Sequence, residues 1–493
     1  MSHIAAEGSA MLTDLYQLTM AQAYYASGTD TTEGCFHLSF RENPFGGGFT
    51  IACGLEQAAE WLEAWHVSAD DIAYLRARLA SDGTRLFTDD FLALLAELRF
   101  TCDVAAIPEG TVVFPREPLM RITGPLPMCQ LVETALLTIV NFQTLVATKA
   151  ARVRLAAGTD PVMEFGLRRA QGPDGGLSAS RAAYAGGCDS TSNVLAGQRL
   201  GIPVAGTHAH SWVMAFDSEA EAFEAYADAL PNNVTLLVDT YETLEGVRRA
   251  VEVGQRLRER GGKLLGVRID SGDLAWLSIK AREILDAAGF ADTKIVASNE
   301  LDEHLIASLK DQGAKIDLWG VGTKLVTGWD QPALGGVYKL SAVRRPGGEW
   351  IPRVKVSEQV AKMTVPGRQG VRRYRRTDGS LAGDMIYDID HAPVHTATMI
   401  DPAEPLRRKL FTDNHTTEEL LVPIFEAGRR VWLPPTLAEV RERTLSSLAG
   451  IDPSLTRTLN PHVYPVGLEH GLYDLRTALV MRSKGLDRET TEE

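Results

Sequence analysis

Polar side chains follow a series of short β-rich runs between residues 160 and 325. The set combines Arg, His, Asp, hydroxyl and Gly residues, namely Arg168, Thr207, His208, His210, Asp239, Arg268, Asp270, Ser298, Asn299, Gly320, Gly322 and Thr323. Arg makes bidentate contacts to phosphate or carboxylate, and Gly-rich turns with Ser or Thr offer N–H groups and hydroxyls to phosphates. Asp at a strand end can hold ribose hydroxyls or Mg²⁺. The set therefore predicts an enzyme that acts on a phosphorylated, anionic small molecule.

Each of these residues also has a purely structural interpretation. Arg268 and Asp270 could form a structural ion pair, and Gly320 and Gly322 could be ordinary turn residues. His208 could be a histidine with no catalytic role, either hydrogen-bonded within the protein or exposed to solvent. The His-x-His spacing allows a metal site, but no third ligand stands out, so metal ligation is the weaker interpretation.

The elements that must position these groups alternate between β-rich and helical patterns. The β-rich runs are PVMEFGL, IPVAGT, VTLLVDT, KLLGVRI, TKIVAS and IDLWGVG. Alternation of this kind indicates βαβ units and a parallel sheet. A spacing of roughly 30 residues suits an α/β fold with a complete or incomplete (β/α) barrel, and a doubly wound sheet is the competing architecture. In both, ligands bind at the carboxyl ends of the strands, so we expect the polar set at one edge of one sheet.

The chain divides by pattern into three zones, 1–135, 136–340 and 341–493. The first zone mixes helical and alternating segments and is predicted to be α+β, and the second is the α/β region. The third zone contains the charge run RQGVRRYRR, predicted to be a solvated strand or loop. The apolar stretch 131–147 carries Glu133, Asn141 and Gln143 and is predicted to be a buried helix, because a membrane span needs about 20 mostly apolar residues.

Composition excludes several classes of protein. The 493 residues hold 50 Lys and Arg against 64 Asp and Glu, a net charge of −14, which argues against a general nucleic-acid binder. The five cysteines are irregularly spaced without a CxxC pair, as expected for reduced thiols in a cytosolic protein. The start, MSHIAAEGSA, lacks the basic and apolar regions of a signal peptide. We therefore expect a soluble, cytoplasmic protein with no nucleic-acid or membrane partner.

Seven blocks of the sequence closely resemble the nicotinate phosphoribosyltransferase family. They are LTDLYQLTM (12–20), FGLRRAQGPDGG (165–176), SNVLAGQ (192–198), PVAGTHAHSWV (203–213), GVRIDSGD (266–273), VASNELDE (296–303) and GVGTKLVT with GGVYKL (320–340). They occur in the family's order between residues 12 and 345. The resemblance implies the type II phosphoribosyltransferase fold, in which an incomplete α/β barrel accompanies a separate, mostly β domain formed from segments on either side of it.

The resemblance also implies an activity. Members of the family couple nicotinate to 5-phosphoribosyl 1-pyrophosphate (PRPP), which gives nicotinate mononucleotide and pyrophosphate and begins NAD salvage from nicotinate. ATP hydrolysis drives the reaction through a phosphohistidine, Mg²⁺ accompanies the pyrophosphate, and we expect a homodimer with a shared active site. The alternatives are a nicotinamide phosphoribosyltransferase and a non-catalytic metabolite sensor on the same fold.

Matching positions assign residues to the two halves of the site. The resemblance makes His210, in the family's GTxAHS block, the phosphorylated histidine. Thr207 and Tyr16 match nicotinate contacts, with Tyr16 supplied by the neighbouring subunit. Arg268 matches the arginine at the nicotinate end, where it can pair with the ring carboxylate. Phe165 matches a pyridine-stacking aromatic of the related nicotinamide enzymes.

We expect six residues to bind PRPP and its phosphates, namely Arg168, Asp270, Ser298, Asn299, Gly322 and Thr323. Asp270 is also the residue that could hold Mg²⁺. One position departs from the family pattern, since His208 stands where relatives often have an apolar residue. Lys149 and Arg152, in VATKAARV, either reach PRPP or lie on the solvated face of a helix, and the helix face is favoured.

Overall fold

The computed structural model describes residues 7–358, 363–394 and 396–486. The chain forms two compact units. Unit 1 comprises Met1–Leu145, Ala333–Thr436 and Arg443–Glu493, and unit 2 comprises Val146–Pro332 and Leu437–Glu442.

The elements are numbered in chain order. Up to residue 157 they are α1 (Leu15–Ala26), β1 (Glu33–Phe40), β2 (Thr50–Ile51), α2 (Leu55–Glu63), α3 (Ala69–Arg76), α4 (Asp89–Glu97), β3 (Asp103–Ala106), β4 (Val112–Val113), β5 (Met120–Pro125), α5 (Leu126–Leu131) and α6 (Glu133–Ala157). From there to residue 326 they are β6 (Val162–Glu164), α7 (Gly172–Ala185), β7 (Ser190–Thr191), α8 (Val194–Leu200), α9 (His210–Met214), α10 (Glu219–Ala229), β8 (Val234–Leu237), α11 (Thr243–Glu259), β9 (Leu264–Ile269), α12 (Leu274–Ala287), β10 (Lys294–Ala297), α13 (Glu303–Asp311), β11 (Leu318–Val321) and α14 (Thr323–Val326).

The remaining elements lie in the C-terminal third. They are β12 (Gly336–Arg344), β13 (Ile351–Pro352), β14 (Gln369–Arg375), β15 (Leu381–Asp388), β16 (Ala397–Ile400), β17 (Arg408–Phe411), β18 (Thr416–Glu419), β19 (Val422–Glu426), β20 (Arg429–Arg430), α15 (Leu437–Ala449), β21 (Val466–Glu469) and α16 (His470–Ser483).

Largely antiparallel sheets make up unit 1. One sheet has the strand order β13-β12-β1-β5-β3-β19-β20, and another has the order β17-β16-β21-β15-β14-β18. Strand β1 pairs with β5 from the N-terminal segment and with β12 from beyond residue 332, so that Phe36 lies opposite both Ile122 and Leu340. Segments from both sides of unit 2 in the sequence therefore share one sheet, which confirms the mostly β domain implied by the resemblance.

The charge run RQGVRRYRR forms β14, inside its sheet between β15 and β18. Arg373 is buried and its Nε lies 3.0 Å from Oδ1 of Asp384 on β15. The neighbouring Tyr374 is also buried, and its ring stacks on Phe411 with centroids 3.9 Å apart. The prediction of a solvated run is wrong at these two residues, because the sheet and its neighbours cover both faces of the strand there.

The apolar stretch predicted to be a buried helix falls in α5 and α6. Together they form the one stretch of the described residues, Leu126–Ala157, whose length and composition would allow it to cross a membrane. Of its most apolar window, 67% is buried inside the structure. Such burial is typical of a core helix, as the sequence predicted.

Unit 2 contains a six-stranded, parallel sheet with the order β7-β6-β11-β10-β9-β8. The strands follow each other in chain order from β8 to β11, and β11 then pairs with β6, with Trp319 opposite Val162. Placed around a circle, the six strands are therefore in sequential order. A doubly wound sheet would instead reverse its strand order near the centre. The sheet is therefore a (β/α) barrel that is open between β7 and β8, and the prediction of an incomplete barrel is confirmed.

One predicted barrel strand is not a regular strand. The run IPVAGT (202–207) contributes a single parallel bridge, Val204 opposite Thr191 of β7. Pro203 has no N–H to give to a ladder, which limits pairing at this point. The two-residue strand β7 itself was not predicted, since nothing in CDSTSN alternates over a strand's length.

Buried strands and capped helices fix the carboxyl end of the barrel. Strands β8 to β11 are rich in buried Val, Ile and Leu, as expected in a (β/α) barrel, where helices cover the outer face of the parallel sheet and side chains fill the interior. Helices α8, α12 and α13 are preceded by the N-cap residues Asn193, Asp273 and Asp302, whose side chains each accept a hydrogen bond from a backbone N–H of the first turn. Each cap contributes about 1 kcal/mol, and each fixes a loop at this end of the barrel.

Candidate active site

The carboxyl end of the unit 2 barrel gathers ten of the eleven residues predicted to form the site. They follow or end the strands, or lie in the segment at the open edge, and are Phe165, Arg168, Thr207, His210, Arg268, Asp270, Ser298, Asn299, Gly322 and Thr323. The eleventh, Tyr16, lies on α1 of unit 1, where its side chain is half exposed. Its predicted contribution to a neighbouring subunit's site stays a prediction.

Arg268, near the end of β9, contacts polar side chains from three loops at the carboxyl end of the barrel. Its Nη1 donates to Thr207 Oγ1 at 2.7 Å and its Nε donates to Ser298 Oγ at 2.9 Å. Its Nη2 lies 3.4 Å from Oδ1 of Asp270, and its Cζ lies 5.9 Å from the centroid of the Phe165 ring. The guanidinium is thus held mainly by neutral hydroxyls, and the carboxylate contact is long. A positive charge held in this way can still attract an anionic ligand.

His210 is the first residue of α9 and keeps an accessible imidazole. Its Nδ1 lies 3.1 Å from Thr240 Oγ1, and its Nε2 lies 3.9 Å from Oδ2 of Asp270. The second distance is too long for a hydrogen bond. The side chain is 39% exposed, so Nε2 is open to a ligand while Thr240 orients the ring. This is the arrangement expected of a histidine that acts as a nucleophile.

Asp239, which follows β8 and Val238, was part of the polar set predicted from the sequence, although the resemblance assigned it no role. Its Oδ2 accepts hydrogen bonds from the Asp270 N–H at 2.8 Å and from Ser271 Oγ at 2.6 Å. Its buried Oδ1 has no hydrogen-bond partner among the described residues. The signal in the sequence is an Asp at the end of the run VTLLVDT.

The same carboxylates allow a test of the implied Mg²⁺. Within residues 7–358, 363–394 and 396–486, no group of three or more His, Cys, Asp and Glu could hold a metal ion. Mg²⁺ commonly uses one or two carboxylates together with substrate phosphates. The Oδ1 of Asp239, which has no hydrogen-bond partner among the described residues, and the partly exposed carboxylate of Asp270 fit a Mg²⁺ site of this kind, with two carboxylates and the phosphates of a substrate.

The loops after β10 and β11 are joined to each other. Thr323 Oγ1 donates to Glu300 Oε1 at 3.0 Å, and Lys324 Nζ donates to Asp302 Oδ2 at 2.7 Å. In the loop after β10, Asn299 has a positive φ of 115°. Residues other than Gly rarely adopt this conformation, and it is found repeatedly at functional sites. These contacts give the two loops one fixed arrangement around the polar groups.

Gly320 has a packing role at this edge. A Cβ at this position would lie 2.7 Å from Cδ2 of Phe165, so only Gly lets the Phe165 ring lie against β11. The interpretation of Gly320 as an ordinary turn residue is therefore wrong, because it lies within β11 and not in a turn.

Lys149 and Arg152 are buried, so the favoured prediction of a solvated helix face is wrong. Lys149 Nζ lies 2.8 Å from Glu303 Oε2, and Arg152 Nε lies 2.7 Å from Glu303 Oε1. Burial acts to raise the pKa of Glu303, but Lys149 and Arg152 outweigh it and hold that pKa below its usual value. The two cations fix the start of α13, directly after the loop that carries Ser298 and Asn299.

The fold and this group of side chains define an α/β-barrel protein whose polar groups gather at the carboxyl ends of the strands, the edge where the active sites of such barrels lie. Family models agree with that class over most of the chain. The model of the nicotinate phosphoribosyltransferase N-terminal domain matches residues 11–141, that of the family matches 161–356, and that of its C-terminal domain matches 368–476.

Curated relatives and a solved structure match over nearly the full length. The chain is 41% identical to a nicotinate phosphoribosyltransferase of Bacillus subtilis over 98% of this chain and 97% of that protein. It is 42% identical to one of Mycobacterium tuberculosis over 93% of this chain and 91% of the relative. The crystal structure of human nicotinic acid phosphoribosyltransferase superposes with a TM-score of 0.83 at 34% identity, covering 95% of this chain and 99% of the human one. The chain belongs to the nicotinate phosphoribosyltransferase family.

Proposed function

We propose that this protein is an ATP-coupled nicotinate phosphoribosyltransferase. It joins nicotinate to PRPP, releases nicotinate mononucleotide and pyrophosphate, and hydrolyses ATP to ADP and phosphate through phosphorylation of His210. The observation that carries this proposal is the pairing of two groups at one barrel edge: Arg268, held by the hydroxyls of Thr207 and Ser298, and His210, with an accessible Nε2.

In the transfer step, the pyridine nitrogen of nicotinate forms a bond to C1 of the ribose while the bond from C1 to the pyrophosphate oxygen breaks. That nitrogen keeps its lone pair at neutral pH, so the step needs no general base. The protein instead aligns the two substrates and stabilises the charge of the departing group. Arg268 pairs with the ring carboxylate, and Phe165 lies beside the guanidinium to pack against the flat ring.

Asp239 and Asp270 would hold Mg²⁺ together with the phosphates of PRPP, and the ion would neutralise charge on the leaving pyrophosphate. Ser298, Thr323 and the backbone at Gly322 and Asn299 supply hydroxyl and N–H donors to the ribose and its phosphates. Arg168 lies on a short 3₁₀ helix after β6, Leu167–Arg169. Its guanidinium is exposed and has no hydrogen-bond or ion-pair partner among the described residues, which leaves it available to the pyrophosphate.

In the coupling step, Nε2 of His210 takes the terminal phosphoryl group of ATP and ADP leaves. Thr240 on Nδ1 holds the ring in place during attack. Water later cleaves the nitrogen–phosphorus bond, which restores the imidazole and releases phosphate. The assembly that we propose is a homodimer in the cytoplasm, in which Tyr16 of one subunit completes the nicotinate pocket of the other.

A product assay tests the proposal. The purified protein is incubated with PRPP, Mg²⁺ and either nicotinate or nicotinamide, with and without ATP. We expect nicotinate mononucleotide, formed faster with ATP, and little nicotinamide product. Preference for nicotinamide would mean that the carboxylate role of Arg268 is wrong, and binding without turnover of either pyridine would favour a metabolite sensor.

A further inference from the structure

The segment from Pro203 to His210 spans the open edge of the barrel in unit 2. At its start, the Thr191 N–H of β7 donates to Pro203 O and the Ala205 N–H donates to Thr191 O, both at 3.0 Å. At its end, the Leu237 N–H of β8 donates to Nε2 of His208 at 3.1 Å. One segment therefore bonds to both terminal strands of the sheet, and the imidazole of His208 makes the bond on the β8 side.

The Leu237 N–H needs this partner. On the side of β8 that faces its neighbour β9, the N–H of the next residue, Val238, donates to Arg268 O at 3.1 Å. Successive N–H groups of a strand point to opposite edges of that strand, so the Leu237 N–H points to the open edge of the sheet, where β8 has no strand neighbour among the residues that the structure describes. Leu237 is fully buried, and a buried backbone N–H is seldom left unpaired.

This hydrogen bond fixes the protonation state of His208. A backbone N–H can only donate, so Nε2 must carry a lone pair and the ring proton lies on Nδ1, 3.4 Å from Ala209 O. Burial, together with the charges of Arg268 on β9 and His210 on the same segment, lowers the pKa of His208. The ring of Tyr226 on α10, with its centroid 4.8 Å away, is the titratable neighbour from the helix side. The neutral imidazole is thus the form that the surroundings favour.

We propose that His208 is a positioning residue, whose imidazole closes the barrel opening and holds Thr207 and His210 in place for catalysis. The proposal rests on the proposed function, because it assigns the effect to phosphorylation of His210. Thr207 precedes His208 and accepts from Arg268, whereas His210 follows two residues later and lies beside Thr240. An apolar side chain at this position could not accept a hydrogen bond from the Leu237 N–H, so the bond depends on the imidazole of His208.

Two variants separate the hydrogen bond from the bulk of the side chain. His208→Gln keeps an acceptor, since Oε1 can take the position of Nε2, and it cannot titrate. His208→Leu keeps apolar bulk and removes the acceptor. His66→Leu, at an exposed histidine of unit 1, is the matched control. Thermal unfolding of each variant checks that it folds.

The first readout is hydrogen exchange of the Leu237 amide, followed by mass spectrometry of peptides that cover β8. The second is transfer of labelled phosphate from ATP to His210. We expect faster exchange and phosphorylation slowed about tenfold or more in His208→Leu, because small displacements of reacting groups cost this much. His208→Gln and His66→Leu should stay within about threefold of the wild type, well below that loss.

The pH profile provides a readout that loss of bulk alone would not change. Protonation turns Nε2 of His208 into a donor, which cannot pair with the Leu237 N–H. Phosphorylation of the wild type should therefore fall more steeply on the acid side than that of His208→Gln. Equal acid limbs, or an unchanged Leu237 amide in His208→Leu, would overturn the proposal.

Failure of the proposed function looks different. If the wild type takes up no phosphate from ATP, the coupling step is wrong, and amide exchange alone then decides whether His208 closes the barrel. Should His208→Leu fail to fold, the side-chain nitrogen shifts of the wild type decide instead. A protonated Nε2 at neutral pH would overturn the proposal, and an unprotonated Nε2 with a protonated Nδ1 would support it.

Discussion

Arg268 shows at the scale of a single residue how a charge is made available to a ligand. Two hydroxyls hold the guanidinium, and its carboxylate neighbour Asp270 lies at 3.4 Å, longer than a strong charged hydrogen bond. The hydroxyls fix its direction without neutralising it. A carboxylate on the substrate can therefore gain more from Arg268 than a neutral carboxamide can.

Replacing Arg268 should change the selectivity between the two pyridines. Arg268→Lys keeps the charge but loses the planar fork of donors. We expect kcat/KM for nicotinate to fall about 10- to 100-fold, equivalent to the ~1.5–3 kcal/mol of a hydrogen bond to a charged group, with a smaller change for nicotinamide. Steady-state kinetics with both pyridines measures this, and Arg169→Lys on the exposed helix after β6 is the control. An equal loss for both pyridines would contradict the carboxylate role.

Removing the imidazole of His210 should separate transfer from coupling. Because the pyridine nitrogen needs no base, His210→Ala should retain measurable ATP-independent transfer and lose ATP stimulation completely. The measurement is the rate of nicotinate mononucleotide formation with and without ATP, together with phosphate release. Full ATP-dependent turnover by this variant would mean that His210 is not the phosphorylated residue.

At the scale of elements, buried charges attach the helices to the strand ends. Glu303 begins α13 and is fully buried between Lys149 and Arg152 of α6. The loop immediately before it carries Ser298, Asn299 and the helix cap Asp302. Unlike a surface pair, this cluster cannot exchange its partners for water, so it fixes the position of α13 and of that loop.

Removing the negative charge should destabilise the protein strongly. Glu303→Gln leaves two buried cations without their carboxylate, and we expect a loss of about 3–5 kcal/mol in the free energy of unfolding. Chemical denaturation measures this loss. Glu283→Gln, in the exposed pair with Lys280, is the control and should cost less than about 1 kcal/mol. Similar losses in both variants would mean that the buried cluster contributes no more than a surface pair.

At the scale of the whole molecule, buried neutral histidines in both units make stability depend on pH. His37 of unit 1, like His208 of unit 2, accepts a backbone N–H on Nε2, in this case from Gln369 at 3.1 Å. Burial and the charge of Arg121 lower the pKa of His37 well below its ordinary value. The folded protein therefore resists protonation of a group that the unfolded chain protonates readily.

The sign of the effect follows from proton binding. Below about pH 6.5 the unfolded chain binds protons at these histidines before the folded protein does, so the free energy of unfolding falls as pH falls. Burial raises the pKa of Glu117, which acts in the opposite sense, so a difference between variants is needed. Urea unfolding between pH 5 and pH 8 should show a smaller acid loss for His37→Gln than for the wild type, and no change for His66→Gln. Parallel curves for His37→Gln and the wild type would contradict this prediction.

How far the sequence predicts the site depends on the range of the contact. The convergence of Thr207, Arg268, Asp270 and Ser298 was predictable, because carboxyl ends of parallel strands meet at one edge whatever their loops contain. The burial of Lys149 and Arg152 was not, since their partner Glu303 lies more than 150 residues away. The chain pattern around Lys149 is the same for a solvated helix face and for a buried ion cluster.

The sequence by itself determined the alternation of strands and helices and the residue types at the carboxyl ends of the strands, and the resemblance of its blocks to the family implied the incomplete barrel. Those features follow from local periodicity and from blocks of residues that need no knowledge of distant partners. Only the tertiary structure decided that the run IPVAGT bridges the barrel opening, that His208 completes it and that Arg373 is buried. Each of these outcomes depends on which backbone or charged groups distant segments leave unpaired, and pairing across such separations is set by strand order and burial.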